Sequence, residues 1–341
     1  MSASSKRWNP MAGEWVIIAE TTADRPWDGN SVPQEQQVLP EHDPDCYLCP
    51  GVVRASGVTN PVYQSTYVFD NDFPSFSMEI PGEATDNPEG AVPAYGICRV
   101  VCFSPQHNLT LAEMDTDGFI QVLNTFREQF LDLSSRPHIE NVLIFENKGA
   151  VIGVSNPHPH GQIYATDFVP RVLEREYRMF QQHLEENGSC LLCDIIGKEL
   201  TDDRRIICRN PDFIAYVPYF ARYSYEVHIT PLRHVSSLAY LDKAELASLA
   251  DIYRQVTVRY DNLFEISSPN ITVFHNAPCA EGWAPDPFHF HIEFYPPLRS
   301  AGKLKYMAGF ETGGGNIINP TLPEAAAEAL KVLSPVHYKK R

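Results

Sequence analysis

From Asp115 onward, Phe119, Val122, Leu123, Phe126 and Phe130 recur at three- and four-residue intervals, which sets them on one side of a helix. A second stripe, Leu246, Leu249, Tyr253, Val256 and Tyr260, follows Asp242-x-x-Glu245, the order of an N-cap and its reciprocal partner at the third helical position. Elsewhere, short apolar or alternating runs predict strands at 15–19, 67–69, 97–103, 142–145, 162–165, 213–217, 225–230, 271–274 and 290–295. Many strands and only two long helices give an α+β class.

The order of the pieces repeats. The first half reads Cys46-x-x-Cys49, strands, Pro105-x-His107, helix, a strand ending at Asn147, then His158-Pro-His160. The second reads Cys190-x-x-Cys193, strands, Pro231-x-x-His234, helix, a strand ending at His275-Asn276, then His289-Phe-His291. From the second cysteine to the next matched histidine is 58 residues in one half and 41 in the other. A duplicated α+β unit follows, with units at 1–181 and 182–341 and the seam near 182–189.

Composition narrows the function. Of 341 residues, 43% are hydrophobic and 21% charged, enough for a sizeable core. Acidic residues outnumber basic ones 43 to 27, a net charge of −16, which excludes general binding to nucleic acid or to an anionic membrane surface. A small phosphate ligand remains open, because a few local donors can hold one anion. The chain has no apolar run of membrane-spanning length, and residues 1–8 lack the apolar core of a secretory signal, so the expected compartment is the cytoplasm. In that reducing setting eight cysteines read as thiols or metal ligands, and 28 prolines favour short strands and turns.

Two thiolates on one turn are the usual first half of a tetrahedral zinc site. Each cysteine pair has two matching histidines downstream, so the expected sites are Cys46, Cys49, His107 and His158, then Cys190, Cys193, His234 and His289. Four protein ligands close the tetrahedron, and both sites are therefore expected to be structural. Cys98, Cys102, Cys208 and Cys279 lack such company and read as buried thiols. In Gly153-Val-Ser-Asn-Pro-His-Pro-His-Gly-Gln162, alternation points His158, His160 and Gln162 to one side of an extended chain. Gly149 and Gly153 let backbone N–H groups approach a phosphate. A neutral imidazole is a competent nucleophile near pH 7.

Ser155-Asn-Pro-His-Pro-His-Gly-Gln162, preceded by Phe145-Glu-Asn-Lys-Gly149, resembles the galactose-1-phosphate uridylyltransferase family, a branch of the histidine-triad superfamily. The resemblance continues in 42–49, 69–73, 260–264 and 294–298, through nearly the whole chain. It implies duplicated histidine-triad-like units, an antiparallel half-barrel sheet with flanking helices, and transfer of UMP from UDP-glucose to galactose 1-phosphate in two steps. By the same resemblance His160 is the nucleophile, Gln162 holds the phosphoryl oxygens, and Ser155 is a further phosphate contact. Asn71, Asp72, Asn147 and Gly153 fall on nucleotide-site positions. Lys305, Tyr306, Phe310 and Glu311 fall on the segment reaching nucleotide and sugar, and Arg25 on a region crossing to a partner subunit, which implies a homodimer. Histidine-triad hydrolases carry a third histidine where this chain has Gln162. An amide cannot usefully protonate a leaving group, and a sugar phosphate needs little protonation to leave.

The pattern also departs from the family. Thr22 and Val154 replace an arginine and a cysteine, and the segment 312–319 differs. Some relatives bind a second metal through a glutamate and three histidines. Glu176, His275 and His291 match that set, but Glu293 takes the last histidine's place, and those relatives lack the Cys190/Cys193 pair. The second metal is thus zinc at the cysteine site, or zinc or iron at the rival nitrogen/oxygen set. Other members with a duplicated cysteine pair are nucleotide-sugar phosphorylases, so the alternative activity is a phosphorylase or adenylyltransferase using ADP-sugars or dinucleoside polyphosphates.

Overall fold

Strand Asn141–Lys148 and strand Asn270–His275 run antiparallel down the middle of a nine-stranded sheet, and the molecule is organised about that pair. The computed structural model describes residues 4–20, 38–79, 90–154 and 156–341. The first half contributes β1 (Ser5–Asn9), β2 (Glu14–Ile18), β3 (Tyr67–Asp70), β4 (Gly96–Cys102), α1 (Thr116–Ser134), β5 (Asn141–Lys148) and β6 (His160–Thr166). Then come α2 (Arg171–Asn187), α3 (Leu191–Asp202), β7 (Ile206–Arg209), β8 (Phe213–Tyr216), β9 (Val227–Pro231), α4 (Lys243–Phe264), β10 (Asn270–His275) and β11 (His291–Tyr295). The chain closes with β12 (Leu298–Ser300), β13 (Lys303–Leu304), α5 (Gly309–Gly314), β14 (Ile318–Asn319) and α6 (Pro323–Lys331).

The large sheet runs β3-β4-β6-β5-β10-β11-β9-β8-β7, and all its neighbours are antiparallel. Outward from the centre, the first half reads β5, β6, β4, β3 and the second reads β10, β11, β9, β8. The repeat in the sequence therefore becomes a pseudo-twofold relation about the β5–β10 pair, with Phe145 opposite Val273. The two halves share one open sheet.

Alternation along the strands assigns the faces. Val101, Ile144, Ile163, Phe274 and Ile292 face a layer made by α1 and α4, whose expected stripes are both buried. Phe119 of α1 meets Tyr253 of α4 with ring centroids 5.0 Å apart. Both caps form: Asp115 accepts from Gly118 N–H, and Asp242 and Glu245 make a reciprocal capping box. The other sheet face carries His160 and Gln162 in the first half and His291 and Glu293 in the second.

Four helices, α2, α3, α5 and α6, lie where the sequence pattern predicts none. In α2, Leu173, Glu176, Tyr177 and Phe180 form a buried stripe inside an otherwise polar segment, so its apolar periodicity is diluted. It runs through most of the expected seam and stops at Gly188, whose φ of 69° only glycine adopts cheaply. α3 starts at Cys190, whose sulfur caps the Cys193 N–H. These two helices cover the second half of the sheet, packing Phe180, Leu192 and Ile195 over Ile214, Tyr216 and Phe288. α6 opens on Pro323, and its Glu324 pairs with Arg7 of β1 and with Arg205. Residues 312–319 finish α5 and form β14, which pairs in parallel with β2, tying the end of the chain to its beginning.

Candidate functional site

The ligand atoms of Cys46, Cys49, His107 and His158 lie within 4.8 Å of one another, all four side chains buried. Cys49 Sγ sits 3.5 Å from His158 Nδ1 and 3.7 Å from His107 Nδ1. Nε2–H of His158 donates to the Ser104 carbonyl at 2.9 Å, which leaves the Nδ1 lone pair facing the sulfurs. Burial pulls the His158 ring down to about 4, so it is neutral as a metal ligand must be. Burial also pushes the Cys49 thiol up to about 11, and only a cation among the four groups reverses that. The donor chemistry fits a tetrahedral zinc ion.

The same carbonyl-oriented arrangement recurs in the second half. Cys190, Cys193, His234 and His289 again converge within 4.8 Å, and His289 Nε2 donates to the Pro231 carbonyl at 3.2 Å. In both halves the accepting carbonyl lies three residues before the other histidine ligand. This second group is less enclosed: only His289 is fully buried. The hydrogen bond between the two thiols, with His289 beside Cys190, holds Cys190 below the usual thiol range, and that bond together with burial pushes Cys193 above it.

His160 opens β6, two residues past His158. Its Nδ1–H donates to the His158 carbonyl at 2.7 Å, which fixes the tautomer and leaves Nε2 with a free lone pair. Burial holds its pKa below the ordinary value, so the ring is neutral at pH 7. Gln162 follows on the same sheet face, between Val100 of β4 and Phe145 of β5. A cleft of about 730 Å³ is lined by His160, Asn147, Lys148, Gly149, Pro157 and Tyr338 among others. Gly149 has φ 105° and its Cβ position lies 2.7 Å from Pro269, so packing as well as conformation demands glycine there. Gly153 has φ 90° and open space around it.

The pseudo-twofold relation sets His291 where His160 stands and Glu293 where Gln162 stands. His291 Nδ1–H donates to the His289 carbonyl at 2.9 Å, the bond made by His160. Yet His291 is fully buried, with the rings of Phe180 and Phe288 6.3 and 6.0 Å from its own. Helix α2 seals this copy, whereas His160 lines an open cleft. Around His291 the sequence's rival metal set assembles as well: Glu176, His275, His291 and Glu293 have ligand atoms within 4.8 Å. The two arrangements posed as alternatives therefore coexist. His275 Nδ1 bonds Glu176 at 2.7 Å, and His275 Nε2 and His291 Nε2 are buried without a hydrogen bond, 3.8 and 3.5 Å from Glu293. Two such lone pairs and a carboxylate fit a nitrogen/oxygen-bound dication. Glu293 also accepts from Arg222 at 2.6 Å and faces His228 at 3.2 Å. Those contacts and His275 outweigh burial and hold its carboxyl well below the usual range.

Of the other expected site residues, Arg25 and Ser155 lie outside the described residues. Asn71 and Asp72 follow β3 at the first half's outer edge, where Asn71 N–H donates to Cys98 and Asp72 meets Arg54 at 3.2 Å. Lys305 pairs with Glu311, while Tyr306 and Phe310 project with 61% and 57% of their surface exposed. None of those four lines the His160 cleft. Cys98 and Cys102 are fully buried and Cys208 and Cys279 partly so. Among the described residues no helix is long and apolar enough to cross a membrane.

Sequence reasoning missed Tyr63, whose hydroxyl lies 3.1 Å from His158 Nε2 and donates to the Leu48 carbonyl. It missed Glu146, buried at the cleft floor, where burial raises its carboxyl to about 7. It also missed the buried Lys148–Asp261–His337 chain, which anchors the C-terminal segment so that Tyr338 reaches the cleft. No spacing marks a lone tyrosine or lysine, and these contacts bridge 95 and 113 residues of chain.

Comparison with known proteins adds to this geometry. The family model described as galactose-1-phosphate uridyl transferase, N-terminal domain, matches residues 1–170, and that of the C-terminal domain matches 176–341. A galactose-1-phosphate uridylyltransferase of Haemophilus influenzae is 40% identical, the match spanning 98% of this chain and 96% of that protein. One from Rattus norvegicus is 38% identical over 97% and 88%. A solved uridylyltransferase structure aligns with a TM-score of 0.77 at 30% identity, covering 96% and 97% of the two chains. An ADP-glucose phosphorylase from Arabidopsis thaliana, 23% identical, has a TM-score of 0.78 over 97% and 100%, a likeness of fold alone.

Proposed function

This chain belongs to the galactose-1-phosphate uridyl transferase family, and from that premise we propose that it moves UMP from UDP-glucose to galactose 1-phosphate through a uridylyl group carried on His160. The observation that carries the reading is the His160 ring, neutral, fixed by the His158 carbonyl, and presenting Nε2 beside a cleft. Nε2 attacks the α-phosphorus of UDP-glucose, the bond to the bridging oxygen breaks, and glucose 1-phosphate leaves. A phosphate oxygen of galactose 1-phosphate then attacks uridylyl-His160, giving UDP-galactose and the free imidazole. A covalent intermediate divides one transfer into two easier ones.

Gln162 donates to the phosphoryl oxygens as charge develops on them. Asn147, Gly153 and Ser155 flank them, and Asn71 and Asp72 receive the nucleotide. Lys305, Tyr306, Phe310 and Glu311 serve the site of a second copy in a homodimer, with Arg25 crossing the same boundary. The exposure of Tyr306 and Phe310 supports that assignment. Residues 1–181 form the catalytic unit and 182–341 its repeat. Zinc fills both cysteine–histidine groups as structural metal, and the Glu176 group takes zinc or iron. Sulfur-bound zinc and unpaired thiols suit a reducing cytoplasm.

UDP-glucose radiolabelled in the α-phosphate should label the protein, and the β-labelled form should not. The bond should be labile to acid and stable to base, and absent from His160→Ala. A fully active His160→Ala variant overturns the mechanism. Labelling by ADP-glucose with phosphate as the productive acceptor would instead make the chain a phosphorylase.

A further inference from the structure

Arg54 is a buried cation in an apolar setting. Its guanidinium stacks on Phe69, Cζ 4.0 Å from the ring centroid, over the cluster of Tyr63, Val100 and Cys102. Its side chain is 8% exposed, and Nε and Nη1 make no aligned hydrogen bond. Burying a cation with idle donors is costly, so the position calls for a compensating reason. The one ion-pair partner within reach among the described residues is Asp72, with Nη1 3.2 Å from Oδ1. The Ser56 N–H points at the other carboxylate oxygen, 3.4 Å away.

Residues 52–59 form a small hairpin that presents both groups. Val53 bridges Thr59, Arg54 N–H donates to Val58, and Gly57, with φ 82°, closes the turn onto the Arg54 carbonyl. The hairpin's base is fixed to the first metal group: Asn60 N–H donates to Val52, and the Asn60 amide donates to the Cys49 carbonyl at 3.0 Å and the Tyr47 carbonyl at 2.9 Å. A hydrogen-bonded path thus runs from Cys49 through Asn60 and the hairpin to Asp72. All of it lies on the sheet face that carries His160.

We infer that Arg54 is a positioning residue that fixes the Asp72 carboxylate in place for the nucleotide, with the 52–59 hairpin as its support. The inference rests on the proposed nucleotide role of Asp72. Charge-assisted hydrogen bonds from ribose hydroxyls to a carboxylate depend on where its oxygens lie, and the Arg54 guanidinium and the Ser56 N–H fix that position.

Equilibrium binding of UDP by calorimetry tests this without requiring turnover. Arg54→Gln should weaken UDP by about tenfold, the scale of one charge-assisted contact, and Asp72→Asn by a similar factor. The double variant should be no weaker than the worse single one, because both act through one carboxylate. Arg54→Lys, which keeps the charge, should recover most of the affinity. The first metal should remain at wild-type content in Arg54→Gln. Wild-type affinity in Arg54→Gln, additive losses in the double variant, or metal lost along with affinity each overturns the inference. So does a wild-type chain that binds no UDP. A chain that binds UDP as expected but is never labelled by UDP-glucose leaves Arg54 in place and removes the proposed reaction.

Discussion

His160 Nδ1 lies 2.7 Å from the carbonyl oxygen of His158, a residue whose own ring belongs to the first metal group. One short strand entrance therefore joins the geometry of the Cys46–Cys49–His107–His158 group to the direction in which His160 Nε2 points. The second half keeps the same bond between His291 and His289 but buries the ring under α2. Duplication supplied two copies of the frame, and the covering helix leaves one of them open to substrate.

Tyr63 offers a mild way to loosen that frame. Its hydroxyl bridges His158 and the Leu48 carbonyl beside the cysteines. Tyr63→Phe should weaken the first metal by roughly 10–100-fold, as loss of an orienting partner does, in competition with a chromogenic chelator. The second cysteine–histidine group should release its metal at the wild-type rate. Equal effects on both groups would mean that Tyr63 acts on general stability.

Gln162 should show in both half-reactions. Gln162→Ala should slow uridylylation and deuridylylation alike, by about 10²–10³-fold if it behaves as a lost oxyanion donor. Single-turnover rates of each step, measured separately, check this. Unchanged rates in both would make the amide a bystander.

The repeat, both cysteine–histidine groups and the His-x-His strand are legible in the sequence, because each depends on local spacing that a strand or turn converts directly into geometry. Both α1 and α4 are legible for the same reason: their apolar stripes and caps are strong. α2 is not, since only Leu173, Glu176, Tyr177 and Phe180 face inward, and one of those is a glutamate kept buried by His275. That same contact explains why two metal arrangements look exclusive in one dimension. Glu176 and His275 are 99 residues apart, and only the packing of α2 against β10 shows that their group leaves Cys190 and Cys193 free for another.

Glu146 should make stability depend on pH. Burial lifts its carboxyl from the usual 4.5 to about 7, so the folded chain holds a proton that the unfolded chain gives up earlier. Its contribution is therefore most favourable below about pH 4.5, declines as pH rises to about 7, and is constant above that. Glu146→Gln should match the wild type near pH 4 and exceed it at pH 8 by up to about 3 kcal/mol, the free energy of holding a carboxyl proton across that interval. Urea unfolding at the two pH values measures the difference. A variant equally displaced at both would assign the effect to packing.

Substitution at Cys190 tells the metal groups apart. Four protein ligands, two of them sulfur, hold zinc more selectively than the Glu176 group, whose nitrogen and oxygen donors accept iron as readily. Cys190→Ser should therefore lower zinc by one ion per chain and leave the metal at Glu176, His275, His291 and Glu293 unchanged. His275→Ala should do the reverse, because it removes one of the two free imidazole nitrogens there. Elemental analysis of the wild type and both variants, each purified without chelator, reads all groups at once. The Cys190 group is also the more exposed of the two cysteine sites, so a chelator should strip it before the first, and Cys190→Ser should abolish that early phase of release. If Cys190→Ser keeps the full zinc content, the second pair of cysteines holds no metal, and the repeat is one of fold without function at that site.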